Sequence, residues 1–519
     1  MIRRLPILIL SVLTLHAIVA LPSAPDAFRP ATWARPAPEL AIGIAALILL
    51  GRGFAARSLQ AVLVVVIGGL TVLKIADIAM TLSLGRRFNI VADIPLIDAS
   101  LRLIAGSVGT IGAVATVIAA ILLTCAIFAV LWWAFGVWQR LPRIAAVPVV
   151  LITGAAFALQ PAPLLGSYAA RQIATARDTL TQLADFRVAA QQDKALAIEA
   201  PLARIDRDVV IVFLESYGRT SFDTQRFASR HLPILQDAQS RLTDAGIAMR
   251  SGFLTSPTHG GQSWLAHATL ANGLRIDGQT RYRAALASGR RTLFHIAQDA
   301  GFRTAAVMPA ITRPWPEAQE MGFHSVLDAE ALQYRGQPFN WVTMPDQFTM
   351  IAMDRLLDDG DPRHLFAQVA LISSHAPWVP IPDMVDWNGI TDGRQFDAMA
   401  TSGDTPREVW RDRERVREQY AKSIDYILRV VTGYALRHAD DPPLLVLVGD
   451  HQAASSIGLD ERHEVPIHVI GPAELVDLTA SWGLHSGLIP PKASPAHPME
   501  DFRMWFLNAF SGRREPPPA

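Results

Sequence analysis

Five apolar stretches, roughly 5–22, 38–56, 59–81, 109–136 and 145–165, fill the first third of this 519-residue chain. Each approaches the length at which a helix crosses a bilayer. In hydrocarbon, every backbone N–H and C=O must find its partner inside the segment, so these stretches are committed to helix. Half of all residues are hydrophobic, and nearly all of the excess lies before residue 166. Histidine does the reverse, with His16 alone before residue 200 and thirteen after it. The chain therefore reads as a membrane α-helical domain over 1–165 and a separate, histidine-bearing domain beyond it.

The first stretch follows Arg3-Arg4, and a signal peptide is the alternative to a span there. Either way the rest of the chain ends outside, because five spans from a cytoplasmic N-terminus and four after a cleaved signal share that outcome. Arg3, Arg4, Arg52, Arg57, Arg140 and Arg143 fall in segments expected inside, while Arg29, Arg35, Arg86, Arg87 and Arg102 fall outside, so span parity decides rather than charge. Lys74 and Asp77, three apart in the third stretch, are either an intramembrane ion pair or snorkelling side chains. Cys125 is the single cysteine and lies in an apolar stretch, so no disulfide forms within one chain. A formal net charge of zero gives no sign of a nucleic-acid partner.

Residues 166–206 turn Ala-, Gln-, Arg- and Asp-rich and read as an amphipathic linker helix at the membrane surface. The next 300 or so residues alternate strand-like and helical runs, the pattern of an α/β domain with a mostly parallel sheet, over 207–510. The Pro-rich 511–519 reads as a disordered tail.

Two runs in that domain, Asp208–Leu214 and Pro443–Gly449, are short, continuous and rich in Val, Ile and Leu, as fully buried parallel strands are. One ends at Glu215 and the other at Asp450-His451. Open α/β sheets place ligands outside the carboxyl ends of their strands, so two carboxylates and an imidazole at that edge would make a divalent-cation site. A third run, 365–372, leads into Ser373-Ser374-His375, and His463 stands before a further run, 464–470. A nucleophile is offered by Thr255–Gly273, where a Gly-Gly turn precedes a short helix closed by Gly273. Ser263 falls at the start of that helix, where a phosphate or alkoxide is favoured. A plain N-cap is the alternative use of that serine, and Thr258 is the competing hydroxyl.

Together, Leu214-Glu215-Ser216, the Ser263 segment, Ser373-Ser374-His375, Gly449-Asp450-His451 and His463 resemble the sulfatase-like branch of the alkaline phosphatase superfamily. Within it the chain is most similar to membrane-anchored lipoteichoic acid synthases and to phosphoglycerol and phosphoethanolamine transferases, whose segment before the histidine strand resembles 340–347 here. The resemblance implies an extracytoplasmic catalytic domain on a bacterial cytoplasmic membrane, with one divalent ion (Mn, Zn or Mg). It implies Glu215, Ser263, Asp450 and His451 as metal ligands, Ser263 as nucleophile, and His375, His463, His267 and Trp264 as substrate contacts. It further implies a phospholipid donor and a glycan or glycolipid acceptor. Glu215-Ser216 in place of paired Asp, with Leu265 and His267 where formylglycine maturation needs Pro or Ala and Arg, argues against sulfate-ester hydrolysis. The related transferases more often use Thr where Ser263 stands, and the lack of disulfides favours phosphoglycerol transfer. A hydrolase using water as acceptor, and a non-catalytic lipid- or glycan-binding relative, are the other two readings.

Overall fold

The computed structural model describes residues 5–84, 86–94, 97–159, 163–340, 342–358 and 360–512. Arg3, Arg4, Trp341 and the tail from 513 onward lie outside the described residues. The chain divides into two compact units, Met1–Gln182 and Leu183–Ala519, and the helix Leu164–Gln191 runs across the division.

In the first unit, apolar helices occupy the five predicted places: Leu5–Ala20, Pro38–Leu50, Phe54–Leu84, Ile97–Trp138 and Ala146–Leu159. Three helical segments, Pro30–Leu50, Phe54–Leu82 and Gly109–Trp138, are long and apolar enough to cross a membrane. The first and last helices, of 16 and 14 residues, are not. At about 1.5 Å per residue they fall short of a bilayer's apolar thickness. Pro22 stops the first, because the residue before a proline is driven out of the helical region. The helices pack through Leu15, Leu47, Ile48, Leu131 and Phe135, all fully buried. Gly68 lets Phe128 approach so closely that a Cβ there would meet the ring at 2.8 Å.

Lys74 and Asp77 are both buried, and each takes other partners. The Lys74 ammonium donates to the Val19 carbonyl (2.8 Å), while Asp77 accepts from Tyr168 Oη (2.8 Å) and the Phe88 N–H (2.9 Å). The two are not paired with each other among the described residues, unlike the ion-pair reading.

The second unit is built on one sheet. Its strands are β1 (Val209–Leu214), β2 (Ala248–Thr255), β3 (Arg303–Met308), β4 (Ser325–Asp328), β5 (Leu365–Leu371), β6 (Leu444–Gly449), β7 (Glu464–Gly471), β8 (His485–Ser486) and β9 (Ala496–Pro498). They lie in the order β4-β3-β5-β1-β6-β7-β2-β8, with β9 beside β2. The run from β4 to β6 is parallel; β7 is antiparallel to both β6 and β2. The sheet is thus mixed rather than wholly parallel.

Alternation along β1 explains its unbroken apolar run. Val210, Val212 and Leu214 join one core, with the helices Gln225–Asp244, Asp346–Leu357 and Arg413–Arg437. Val209, Ile211 and Phe213 join the other, with the helices Ser263–Asn272 and Phe502–Phe510. With both faces covered, β1 is apolar throughout, and the polar Glu215 follows directly at its end.

Candidate active site and metal centre

The register of the three central strands creates the site. Leu214 of β1 pairs with Leu371 of β5 on one side and with Gly449 of β6 on the other. The residues that follow, Glu215, Ile372–His375 and Asp450-His451, therefore emerge together at one edge. His463 arrives there by a different route: β7 runs antiparallel to β6, so its start lies where β6 ends. Glycine at 449 is obligatory, since a Cβ would sit 1.9 Å from the Tyr217 carbonyl oxygen as the chain leaves β1.

Glu215, Asp450 and His451 are buried, and one ligand atom of each lies within 4.8 Å of the others. The His451 Nδ1–H donates to the Gln452 carbonyl (3.0 Å), which leaves Nε2 facing Glu215 Oε1 at 3.2 Å and Asp450 Oδ2 at 3.8 Å. That Nε2 has no hydrogen-bond partner. Two carboxylates and an imidazole nitrogen packed this closely need a positive charge among them, a proton or a cation. Burial alone lowers the His451 pKa, but Asp450 and Glu215 outweigh it and raise the imidazole to about 9. Burial also raises the Asp450 carboxyl, and the adjacent Glu215 charge adds to it, up to about 7. For Glu215, burial is overcome by His451, which holds the carboxyl well below its usual range. The cluster holds a proton where a divalent cation fits, and its oxygen-and-imidazole donor set suits one.

Ser263 is the first residue of its helix, not its cap. Gln262 occupies the cap in the left-handed region (φ 67°) and makes no side-chain capping bond. The Ser263 hydroxyl donates instead to Glu215 Oε2 at 3.0 Å. The N-cap reading of this serine is thereby overturned: a side chain spent on Glu215 satisfies no helix N–H. Gly273 closes the helix in the left-handed region (φ 63°), its N–H on the Thr269 carbonyl. Thr258 is buried in the same loop, and its hydroxyl makes no hydrogen bond.

The remaining candidates divide. His375 packs close enough for its charge to act on Glu215, and its Nδ1 lies 2.6 Å from the Ala376 carbonyl. His267, one turn beyond Ser263, is buried against Phe213 with ring centroids 3.9 Å apart, and burial lowers its pKa to about 3. Its Nε2 is also without a partner. Trp264 is more than a third exposed and donates to Gln279 at 3.1 Å rather than turning to Glu215.

Two residues at this edge carry more than the sequence showed. His259 sets its ring against that of His463, tilted, with centroids 5.4 Å apart, and the loop bearing it is stitched to the residues after β6 by Gly260 N–H to Gln452 O (2.8 Å) and Ser256 Oγ to Asp450 O (2.5 Å). Its only sequence signal is its place before the Gly260-Gly261 turn. Asp346, fully buried, accepts from the Ile372 (2.7 Å) and Ser373 (3.0 Å) N–H groups and so fixes the loop that carries His375.

Comparison with known proteins follows this geometry. No curated protein matches the sequence. Among solved structures, the chain is similar to the lipoteichoic acid synthase LtaP from Listeria monocytogenes, at 12% identity over 62% of this chain and 76% of that one, with a TM-score of 0.39. It is also similar to the phosphoglycerol transferase GacH from Streptococcus pyogenes (14% identity, 64% and 82% covered, TM-score 0.39). A third is the integral membrane phosphoethanolamine transferase EptA from Neisseria meningitidis (12% identity, 89% and 86% covered, TM-score 0.43). Residues 207–475, more than half of the chain and the whole span from β1 to β7, match the sulfatase family, and the chain belongs to it.

Proposed function

We propose that the chain is a membrane-anchored phosphotransferase that moves a phosphoglycerol or phosphoethanolamine group from a phospholipid to a hydroxyl of a glycan or glycolipid, through a phosphoester on Ser263. The observation that carries this reading is the hydrogen bond from the Ser263 hydroxyl to Glu215, at a helix start and beside a buried acid–imidazole cluster. Glu215, Asp450 and His451, with Ser263 beside them, would hold a divalent cation such as Mn, Zn or Mg. Such an ion, when bound, lowers the pKa of an oxygen nucleophile and neutralises phosphoryl charge.

In the first half-reaction the Ser263 oxygen bonds to phosphorus, the bond from phosphorus to the diacylglycerol oxygen breaks, and that oxygen takes up a proton. Glu215 Oε2 accepts the hydroxyl's hydrogen bond and orients it, and the serine's own proton passes by way of His375 or His463 to the departing diacylglycerol oxygen. The helix start adds N–H dipoles that favour the phosphoryl charge. In the second half-reaction the acceptor oxygen bonds to phosphorus, the bond to Ser263 breaks, and the serine regains a proton. His375 and His463 supply hydrogen bonds and proton transfer to the oxygens in motion.

Three membrane spans leave Leu183–Ala519 on the side opposite the N-terminus, and five would do the same. We place that unit outside the bacterial cytoplasmic membrane, where the donor's phosphate lies at the bilayer surface and anchoring pre-positions the site. The test is product analysis with the detergent-solubilised protein and phosphatidylglycerol or phosphatidylethanolamine, with and without a glycan. Transfer predicts diacylglycerol release coupled to a modified glycan. Free glycerol phosphate or ethanolamine phosphate, formed at the same rate whether or not glycan is present, would replace this reading with a hydrolase.

A further inference from the structure

The helix Arg413–Arg437 buries Val416, Tyr420, Ile424 and Ile427 against the sheet. A neighbouring row spaced three, four and three apart, Gln419, Lys422, Tyr426 and Arg429, lines a cavity of about 520 Å³. The facing wall is the segment 379–384, and none of Glu215, Ser263, Asp450 or His451 lines the space. It is nonetheless tied to them twice. Val379 follows Trp378, whose indole donates to the Ser374 carbonyl (2.7 Å), while the Ser374 hydroxyl donates to the Glu215 carbonyl (2.6 Å). Tyr420, on the same helix, donates to the Ser216 carbonyl at 2.9 Å.

The lining says what such a cavity would take. Its charges are three of each sign: Arg230, Lys422 and Arg429 against Asp383, Asp404 and Asp425. A balanced set creates no net field to draw in an anion. What it presents is donors and acceptors side by side, from Asp383, Ser402, Gln419, Lys422 and Arg429. Between them lies apolar surface from Tyr426, Ile381 and Met384. A sugar has the complementary pattern, since each hydroxyl both donates and accepts and the ring's C–H face is apolar. The volume falls within the usual range for a small-molecule site.

We propose that this cavity is a carbohydrate subsite that holds a neutral glycan beside the catalytic edge. Its role as the acceptor subsite rests on the phosphotransfer reading above; sugar binding itself does not. The experiment titrates the full-length protein in detergent, with no phospholipid donor present, against a panel of neutral tetrasaccharides of glucose and mannose. Tryptophan fluorescence reports occupancy, because Trp378 and Trp410 stack next to the cavity wall at 5.8 Å. The expected result is saturable binding that weakens roughly tenfold or more in Lys422→Ala/Arg429→Ala, the loss of one or two charged hydrogen bonds. Gln419→Ala gives a smaller loss in the same direction. Absence of saturable binding to every saccharide, binding unchanged in the variants, or displacement of the saccharide by glycerol phosphate would each overturn the proposal. Ser263→Ala, which removes the nucleophile, still binds saccharide. If it does so while the wild-type protein yields no modified glycan, the subsite stands and the phosphotransfer reading falls.

Discussion

Two buried ionic clusters in the Leu183–Ala519 unit are built in opposite ways. In one, Asp193 receives both arms of Arg503 (2.8 and 2.7 Å) and lies 3.4 Å from Arg290. The surplus positive charge is absorbed by backbone carbonyls, Asn272 for Arg290 (2.8 Å) and Arg291 for Arg503 (2.5 Å). Burial pushes Asp193 up, but the two guanidinium groups outweigh it and keep its pKa low. In the other, Glu215 and Asp450 face one imidazole, and the balance is struck by raising Asp450 and His451. In the first cluster both oxygens of the carboxylate are met by guanidinium groups, with Arg503 Nε left without a hydrogen bond among the described residues, and it joins the end of the linking helix to the base of the Ser263 helix. The second is complete only when a cation enters. Buried charge is costly in both, yet only the second brings two carboxylates against an imidazole nitrogen that lacks a hydrogen bond among the described residues.

That contrast yields predictions of decreasing size. Asp450→Asn and His451→Gln should each abolish retention of divalent metal in elemental analysis of the purified protein. Activity should fall by at least roughly 100-fold, the upper end for losing a partner one shell further out. Metal retained at full occupancy in His451→Gln would make this cluster another ion pair, and the contrast would collapse. Asp193→Ala leaves two buried guanidinium groups facing each other and should cost about 3–5 kcal/mol of stability in chemical denaturation. Metal content and turnover per folded molecule should be kept. Loss of metal in this variant would mean that the clamp is part of the site.

A separate prediction, read as a pH dependence, concerns Asp346. Burial raises its carboxyl from 3.8 to about 7, against the pull of the Ile372 and Ser373 N–H groups. A pKa higher in the folded than in the unfolded state means that the folded chain holds the proton more tightly. The stabilisation is complete below about pH 4 and is lost as the pH rises to about 7. Asp346→Asn should therefore gain on the wild type in denaturation curves as pH climbs through that window. Parallel curves for the two proteins would contradict it.

Much of the catalytic edge was legible because it lies at strand ends. β1 and β6 announce themselves as continuous apolar runs, and β5 as one broken only by Gln368, since both faces of each strand are buried, and the polar residues that follow are thrown to the edge. Ser263 was placed within one residue of its helical role, although Gln262 rather than Ser263 turned out to be the cap. The Asp193 cluster was invisible, because Asp193 and Arg503 meet across 310 residues and neither sits in a local pattern. The His259–His463 contact was hidden for the same reason, joining a loop after β2 to one before β7. Span lengths were overread: hydropathy continues past Ala20, but Pro22 ends the helix.

The central claim is that Ser263 carries the transferred group. Its most direct test is intact-mass and peptide-level mass spectrometry of the full-length protein after incubation with phosphatidylglycerol or phosphatidylethanolamine. The account predicts a phosphoglycerol or phosphoethanolamine adduct on the Ser263 peptide, absent in Ser263→Ala, whose turnover falls by roughly 10⁴-fold or more. An adduct mapped to Thr258, or one that persists in Ser263→Ala, would contradict it.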